Sequence, residues 1–254
     1  MKTIRTIGDL RAEPRNGSVG LVPTMGAFHK GHLALFRGAR AENDLVVASL
    51  FVNPAQFSDA ADLGSYPRDL EADAAHAEAA AVDVLFAPPA DEVYPPGFAT
   101  WVDPQGAAVG LEGAYRPGHF RGVATVCLKL FNIVRPQTAW FGRKDAQQVA
   151  VLKQMVRDLN LDIAINVVKT VRDDDGLAIS SRNAALTAAE REQALAIPRA
   201  LATGDPDQAR QALAAAGLEP DYVEIADLDG PTLAVAARVG RVRLIDNVLL
   251  KGAP

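Results

Sequence analysis

The chain has 254 residues, of which 49% are hydrophobic and 22% are charged, with one cysteine and a formal net charge of −5. This length allows a sizeable core in one or two domains, and the apolar fraction excludes wholesale disorder. The net negative charge argues against a protein that coats nucleic acid, although a small anionic substrate needs only local positive charge.

The lone cysteine excludes an internal disulfide framework. The N-terminal residues lack the apolar core of a signal peptide, and no apolar run reaches the length of a membrane span. We therefore expect a cytoplasmic protein that does not bind membranes or nucleic acid.

Strand-type and helix-type patterns alternate through the first 170 residues. The predicted strands are 19–23, 45–51, 82–86, 138–142 and 163–168, and the predicted helices are 31–42, 67–80, 122–134 and 144–159. This order predicts an α/β fold with a mainly parallel, three-layer sheet. Ligands of such sheets bind at the carboxyl ends of the strands.

The pattern changes after about residue 170. Two Ala-rich helices are predicted at 188–201 and 206–216, followed by short strands at 221–226 and 241–248. We therefore expect a first α/β domain over 1–170 and a smaller α+β domain over 171–254, packed closely together.

The strongest local signal, residues 23–32, lies where the first strand ends and a helix begins. It holds His29, Gly31 and His32 in an HxGH pattern. Backbone N–H groups at a helix N-terminus attract phosphate, glycine permits close approach, and histidines can donate to a phosphoryl oxygen. A metal site is the weaker alternative because no third ligand lies nearby. The chain has no Walker A loop, no GxGxxG after the first strand and no GxSxG elbow.

Three further polar segments follow. Asn53 and Gln56 come after the second strand and suit hydroxyl or carboxylate groups, although a plain Asn-Pro turn is the alternative. Lys144, Asp145 and Gln148 begin a helix, where Lys144 could meet phosphate or simply belong to a charged first turn. Residues 180–183, Ser-Ser-Arg-Asn, form either an oxyanion binder or a helix cap, or both.

Taken in order, the strings PTMGAxHxGH, FVNPxQF, YPRxLExD, RPGHFRGV, GxKDxQQ and SSRN resemble the pantothenate synthetase (pantoate–β-alanine ligase) family. This family belongs to the HxGH nucleotidyltransferase superfamily. The resemblance runs from about residue 19 to 183 and continues weakly at 243–247. It implies a Rossmann-like domain, a smaller C-terminal domain and a homodimer.

The resemblance also implies a two-step ligation. The carboxylate of (R)-pantoate attacks the α-phosphorus of ATP to give pantoyl adenylate and pyrophosphate. The amine of β-alanine then attacks the acyl carbon and releases AMP and pantothenate, the vitamin precursor of coenzyme A. Because the substrate carries the nucleophile, catalysis would consist of positioning and charge stabilisation.

Position by position, the resemblance implies the following site residues. The catalytic set would be His29, His32, Lys144, Ser180, Ser181 and Arg182, with His32 as the acid. The ATP site would add Met25, Gly26, Ala27, Phe28, Lys30, Gly31, Gly142, Arg143, Asp145, Val171 and Ile179. Gln56 and Gln148 would hold pantoate, and Gln56 would also border β-alanine. ATP chemistry implies Mg²⁺, for which Asp73 is the candidate ligand, although an acidic first turn of a helix is the commoner explanation.

Other positions are interpreted more conservatively. Arg143, Ala146 and Ile179 replace residues common in the family, which affects packing or local charge rather than the catalytic set. Arg116 and His119 lie in a segment expected to be a flexible loop beside the site, where they could reach a phosphate or support the loop; we favour support. Cys127 is expected to be a buried small residue, and His76 a surface residue.

Two other functions remain open on the sequence. A plain nucleotidyltransferase of the same superfamily would prefer Arg or Lys where Gln56 and Gln148 stand. A nucleotide sensor without catalysis would be expected to lose His32 or Lys144, and both are present.

Overall fold

The computed structural model describes residues 1–57, 63–64 and 66–250. The strands are β1 (Lys2–Ile4), β2 (Val19–Thr24), β3 (Leu45–Leu50), β4 (Val84–Phe86), β5 (Thr138–Gly142), β6 (Ala164–Val168), β7 (Pro220–Asp227), β8 (Pro231–Val239) and β9 (Val242–Leu249). The helices are α1 (Ile7–Ala12), α2 (Lys30–Glu42), α3 (Leu70–Ala79), α4 (Ala90–Val93), α5 (Leu111–Tyr115), α6 (His119–Val134), α7 (Ala146–Asp158), α8 (Ala188–Ala194), α9 (Ala196–Leu201) and α10 (Pro206–Ala215). Short 3₁₀ turns lie at Pro54–Gln56, Gly106–Ala108, Arg143–Asp145 and Ser181–Ala185.

The first six strands form one parallel sheet in the order β1-β4-β3-β2-β5-β6. This sheet confirms the predicted α/β fold class, for which no strand order was predicted. Alternate residues of its central strands point to opposite faces. Leu21 packs in the cluster that includes α6 and α7, whereas Val22 packs in the cluster that includes α2. Both faces are therefore covered, which explains why these strands have continuous apolar sequences.

The last three strands form an antiparallel sheet in the order β7-β8-β9. Its core includes side chains from α8, α9 and α10. A separate cluster joins this sheet to α5 and α7, because Leu111 and Ala146 pack with Tyr222, Ala234 and Ala236. Residues 251–254, the end of the predicted second domain, lie outside the described residues.

Several predicted boundaries need correction. The helix predicted at 67–80 begins at Leu70, since Asp69 accepts a hydrogen bond from the Ala72 N–H and caps it. The helix predicted at 188–201 is divided at Leu195, three residues before Pro198. β1, α1 and β8 were not predicted. For β8 the reason is its Ala-rich sequence, which has a weak preference for strands.

Two smaller expectations are confirmed. Cys127 is buried in α6, and burial raises the pKa of its thiol to about 12. His76 is exposed on α3. In the described ranges 1–57, 63–64 and 66–250, no helix is long and apolar enough to cross a membrane.

Candidate active site

The carboxyl ends of β2, β3, β5 and β6 border one crevice, and residues 179–182 form part of its wall. The predicted site residues that line it are Met25, His29, Gly31, His32, Gln56, Gly142, Lys144, Asp145, Gln148, Val171, Ile179, Ser180, Ser181 and Arg182. The predicted residues that fall outside this lining are Gly26, Ala27, Phe28, Lys30, Asp73 and Arg143. Residues from four predicted segments therefore meet in one place.

The chain turns sharply after β2, where Gly26 has a φ of 90° and Ala27 a φ of 54°. Left-handed backbone is costly for alanine, so the surrounding contacts must hold it. Asp73 of α3 supplies them, because its Oδ2 accepts from the Ala27 N–H at 2.8 Å and its Oδ1 from the Phe28 N–H at 2.6 Å. Asp73 is only 2% exposed. This geometry makes Asp73 a clamp on the loop, and its expected role as a magnesium ligand stays a prediction.

His29 and His32 cap the start of α2 through their side chains. Nδ1 of His29 accepts from the Gly31 N–H at 3.2 Å, and Nδ1 of His32 accepts from the His29 N–H at 3.3 Å. The two imidazole centroids are 4.1 Å apart. Because each Nδ1 is an acceptor, a neutral ring carries its proton on Nε2. Each imidazole thus offers one Nε2–H donor at the edge of the crevice.

The surroundings keep both rings uncharged at neutral pH. Burial, His29 and Lys144 lower the pKa of His32 to about 3. Burial and the Lys144 charge also lower the pKa of His29. In this state His32 can act as a neutral hydrogen-bond donor, and its expected role as the acid stays a prediction.

Gln56 is held in the 3₁₀ turn after β3 by a buried partner, Asn53. The Asn53 amide donates to Gln56 Oε1 at 3.0 Å and to the Gly122 carbonyl at 3.2 Å, while its Oδ1 accepts from the Tyr94 hydroxyl at 2.9 Å. Nε2 of Gln56 contacts the Met25 sulfur at 3.1 Å. Asn53 is thus the support of Gln56 and does more than form an Asn-Pro turn.

Gly122 of α6 packs directly against this turn. A Cβ at Gly122 would lie 2.3 Å from the Ala55 carbonyl oxygen and 2.7 Å from Gln56 Cα. Only glycine permits so close an approach between helix and turn.

The segment with Arg116 and His119 is ordered by hydrogen bonds. Because an arginine can only donate, its 3.2 Å contact with Nε2 leaves His119 protonated on Nδ1. That Nδ1–H donates to the Gln56 carbonyl at 3.0 Å. Burial and the Arg116 charge lower the pKa of His119 to about 4. These contacts agree with a supporting role, and His119 begins a helix rather than lying in a flexible loop.

Lys144 lies in the turn between β5 and α7, one helical turn before Gln148, and both line the crevice. Its Nζ is 3.7 Å from the Asp145 carboxylate. The Arg143 side chain points toward the second sheet, where it donates to Thr232 Oγ1 at 2.9 Å. Three consecutive residues here, 143–145, were predicted to bind ATP. Lys144 and Asp145 line the crevice, whereas Arg143 contacts the second sheet.

The opposite wall comes from Val171 and residues 179–182. The Ile179 N–H donates to the Val171 carbonyl at 3.0 Å, which brings the two predicted nucleotide contacts together. Ser180 caps the following turn, since its Oγ accepts from the Arg182 N–H at 3.2 Å. The capping interpretation and the placement at the crevice therefore both hold.

Sequence reasoning missed some lining residues. Tyr66 lines the crevice and hydrogen-bonds to Ser181. It belongs to the YPRxLExD string but was not predicted as a site residue. Lys169 and Thr170 follow β6 directly. Lys169 and Thr170 could have been predicted as site residues, because ligands of parallel sheets bind at the carboxyl ends of the strands.

A family model described as pantoate-beta-alanine ligase matches residues 1–249. The chain is 50% identical over 277 residues to a pantothenate synthetase of Roseiflexus castenholzii, and the match covers 99% of this chain and 100% of that protein. It is 51% identical over 261 residues to a pantothenate synthetase of Acidobacterium capsulatum, covering 93% of this chain and 87% of that protein.

Solved structures are similar in fold as well. The pantothenate synthetase of Thermus thermophilus aligns with a TM-score of 0.90 and 46% identity, over 98% of this chain and 99% of that one. The pantoate-beta-alanine ligase of Francisella tularensis, complexed with beta-gamma ATP and beta-alanine, aligns with a TM-score of 0.89 and 36% identity, over 98% and 97% of the two chains.

Proposed function

This chain belongs to the pantoate-beta-alanine ligase family, and we propose how its crevice residues divide the work of that ligation. The reaction is the ATP-dependent condensation of (R)-pantoate with β-alanine to pantothenate. The observation that carries the assignment of roles is the meeting of His29, His32 and Lys144 with Gln56 and Gln148 in one crevice.

In the first step, the pantoate carboxylate oxygen forms a bond to the α-phosphorus of ATP. The bond from that phosphorus to the bridging oxygen breaks, and pyrophosphate leaves with its electron pair. The Nε2–H groups of His29 and His32 and the Lys144 ammonium donate to the phosphate oxygens while negative charge moves toward pyrophosphate. Donors already oriented before the reaction need no reorganisation during it.

The amides of Gln56 and Gln148 hold pantoate for in-line attack, since neutral amides bind hydroxyl and carboxylate oxygens without competing for the phosphate. Asn53 fixes the Oε1 of Gln56. Ser180, Ser181 and Arg182 contact the β- and γ-phosphates from the opposite wall, and Gly142, Asp145, Val171 and Ile179 border the nucleoside.

In the second step, the free amine of β-alanine, seated beside Gln56, attacks the acyl carbon of pantoyl adenylate. The new C–N bond forms, the C–O bond to phosphate breaks, and AMP leaves with that electron pair. The surplus amine proton passes to solvent. No side-chain nucleophile is involved, in agreement with the buried, high-pKa thiol of Cys127.

Magnesium is expected with ATP, but the described side chains do not fit a protein-built cage. Within the ranges that the structure describes, no three His, Cys, Asp or Glu side chains group as metal ligands. Both oxygens of Asp73 are bonded to backbone N–H groups. Magnesium commonly keeps several waters and binds phosphates, so a magnesium ion would be held mainly by the ATP phosphates and would neutralise part of their charge.

The family resemblance also supports three broader proposals. Residues 171–254 form a second domain that closes over the ATP site of the 1–170 domain. The protein is a cytoplasmic homodimer that binds small molecules. Light scattering at several protein concentrations would measure its oligomeric state.

Pyrophosphate exchange into ATP tests the proposed first step. We expect exchange that requires pantoate, and we expect Lys144→Ala to reduce it strongly. Lys153→Ala is the matched control, because Lys153 lies on α7 but pairs with Asp229. Absence of exchange in folded wild-type protein, or exchange independent of pantoate, would refute the adenylate route.

A further inference from the structure

β9 carries the segment Arg243-Leu244-Ile245-Asp246-Asn247, which none of the proposed chemical steps uses. Its polar side chains nevertheless connect to three separate parts of the crevice wall. Arg243 bonds to Glu112, ahead of the segment that supports Gln56, and Asp246 bonds to Arg172, beside Val171. Asn247 bonds to the turn that carries Lys144.

The contact of Asn247 is the most direct of these. Its Nδ2 donates to the carbonyl oxygens of Arg143 and Lys144 at 3.0 and 2.9 Å. Asn247 as a whole residue is 6% exposed. One amide therefore holds two successive carbonyls of the short turn that leads into α7.

The two carbonyl acceptors determine which way the Asn247 amide points. Within the described part of the chain, Oδ1 of Asn247 is buried without a hydrogen-bond partner. A flipped amide would put that oxygen against two carbonyl oxygens, which repel it. A buried amide with an unsatisfied acceptor is costly, so its donor contacts with the turn must outweigh that cost.

β9 is itself anchored at two positions that precede Asn247. Arg243 donates to both oxygens of Glu112 at 2.8 and 2.7 Å and to Asp221 at 2.6 Å. Asp246 accepts two bonds from Arg172, at 2.6 and 3.0 Å. A side chain on a strand held in this way can impose its position on the turn it contacts.

We propose that Asn247 is a positioning residue that sets Lys144 toward the nucleotide phosphates. The proposal rests on the proposed function in one respect, namely that Lys144 binds ATP. The proposal adds a role for the second sheet. Two hydrogen bonds from Asn247 to the turn that contains Lys144 would determine where the Lys144 ammonium lies.

The test compares ATP affinity, measured by calorimetry without pantoate, in four proteins: wild type, Asn247→Asp, Lys144→Ala and the double variant. Asn247→Asp preserves shape but replaces the donor with an oxygen that faces two carbonyls. We expect about tenfold weaker ATP binding in the wild-type background. In the Lys144→Ala background the same substitution should cause no further loss.

Two controls separate positioning from general damage. Asn247→Ala, which adds no charge, should raise KM for ATP several-fold and leave KM for pantoate unchanged. Val248→Ala removes apolar contact from the neighbouring position on β9 and should lower stability without changing ATP affinity. Circular dichroism would verify that each variant is folded.

Wild-type ATP affinity in both Asn247 variants would overturn the proposal, as would equal losses with and without Lys144. Failure of the proposed function would give a different result from failure of the Asn247 proposal. The wild type would then lack pantoate-dependent exchange, while the comparison of ATP affinities would still decide the role of Asn247.

Discussion

Replacing Asp73 by asparagine removes the charge that holds the loop after β2. In the wild type, its two carboxylate oxygens accept from the N–H groups of Ala27 and Phe28 at 2.8 and 2.6 Å. Asparagine keeps one oxygen as an acceptor and turns an NH₂ group toward the other N–H. The left-handed conformation of Ala27 then loses part of its support.

The expected effect is large because the site is buried. A hydrogen bond to a charged group contributes about 1.5–3 kcal/mol, so losing one and weakening the other should cost about 3 kcal/mol. For a chain of this size that corresponds to a fall in Tm of about 6–12 °C. A loosened loop displaces His29 and His32, and misplacement by about 1 Å can reduce kcat/KM for ATP by about 100-fold.

Thermal unfolding should be measured in EDTA, together with KM for ATP and for magnesium. Asp69→Asn is the matched control, because Asp69 caps the same helix, is exposed, and asparagine caps equally well. A metal ligand would behave differently from a clamp: stability in EDTA would not change, and KM for magnesium would rise. That outcome would refute the clamp and restore the magnesium role.

Three other outcomes are expected from buried groups. Because the unfolded state binds a proton that folded His32 does not, stability should fall as pH drops from 6.5 toward about 3. His32→Asn should reduce that slope by about 1.4 kcal/mol per pH unit, measured by urea unfolding; an unchanged slope contradicts the lowered pKa. Glu112→Ala removes two of the three hydrogen bonds that Arg243 makes to carboxylates, leaving the one to Asp221, and should cost about 3 kcal/mol. The effects of Glu112→Ala and Arg243→Ala should be non-additive in the double variant, whereas Asp207→Ala at the surface should cost less than about 1 kcal/mol. Cys127 should resist iodoacetamide at pH 8 until urea unfolds the protein, and equal rates in both states would contradict its burial.

Much of the site followed from local sequence. His32, Gln56 and Lys144 each lie just after a predicted strand, and neighbouring parallel strands bring such positions to one edge. The order β3-β2-β5, which was not predicted, makes these strands neighbours in the sheet and brings the three positions to one crevice. The HxGH pattern likewise predicted a helix start, although not that the imidazoles themselves cap it.

What the sequence left undetermined depends on contacts between distant residues. Asp73 looked like an acid in the first turn of a helix, and only the fold shows that it reaches the Ala27 and Phe28 N–H groups. The charge state of His32 depends on burial and on Lys144, neither of which periodicity reveals. Asn247 lies more than one hundred positions beyond the turn it holds.

The distance between Lys144 and Asn247 along the chain determines the order in which the two residues are synthesised. Lys144 leaves the ribosome 103 residues before Asn247. At about 5–20 residues per second, synthesis brings Asn247 out about 5–20 seconds later. The parallel sheet can assemble during that interval, with its crevice walls not yet tied together. If Asn247 positions Lys144 as proposed, a nascent chain would form its parallel sheet before it gains full affinity for nucleotide.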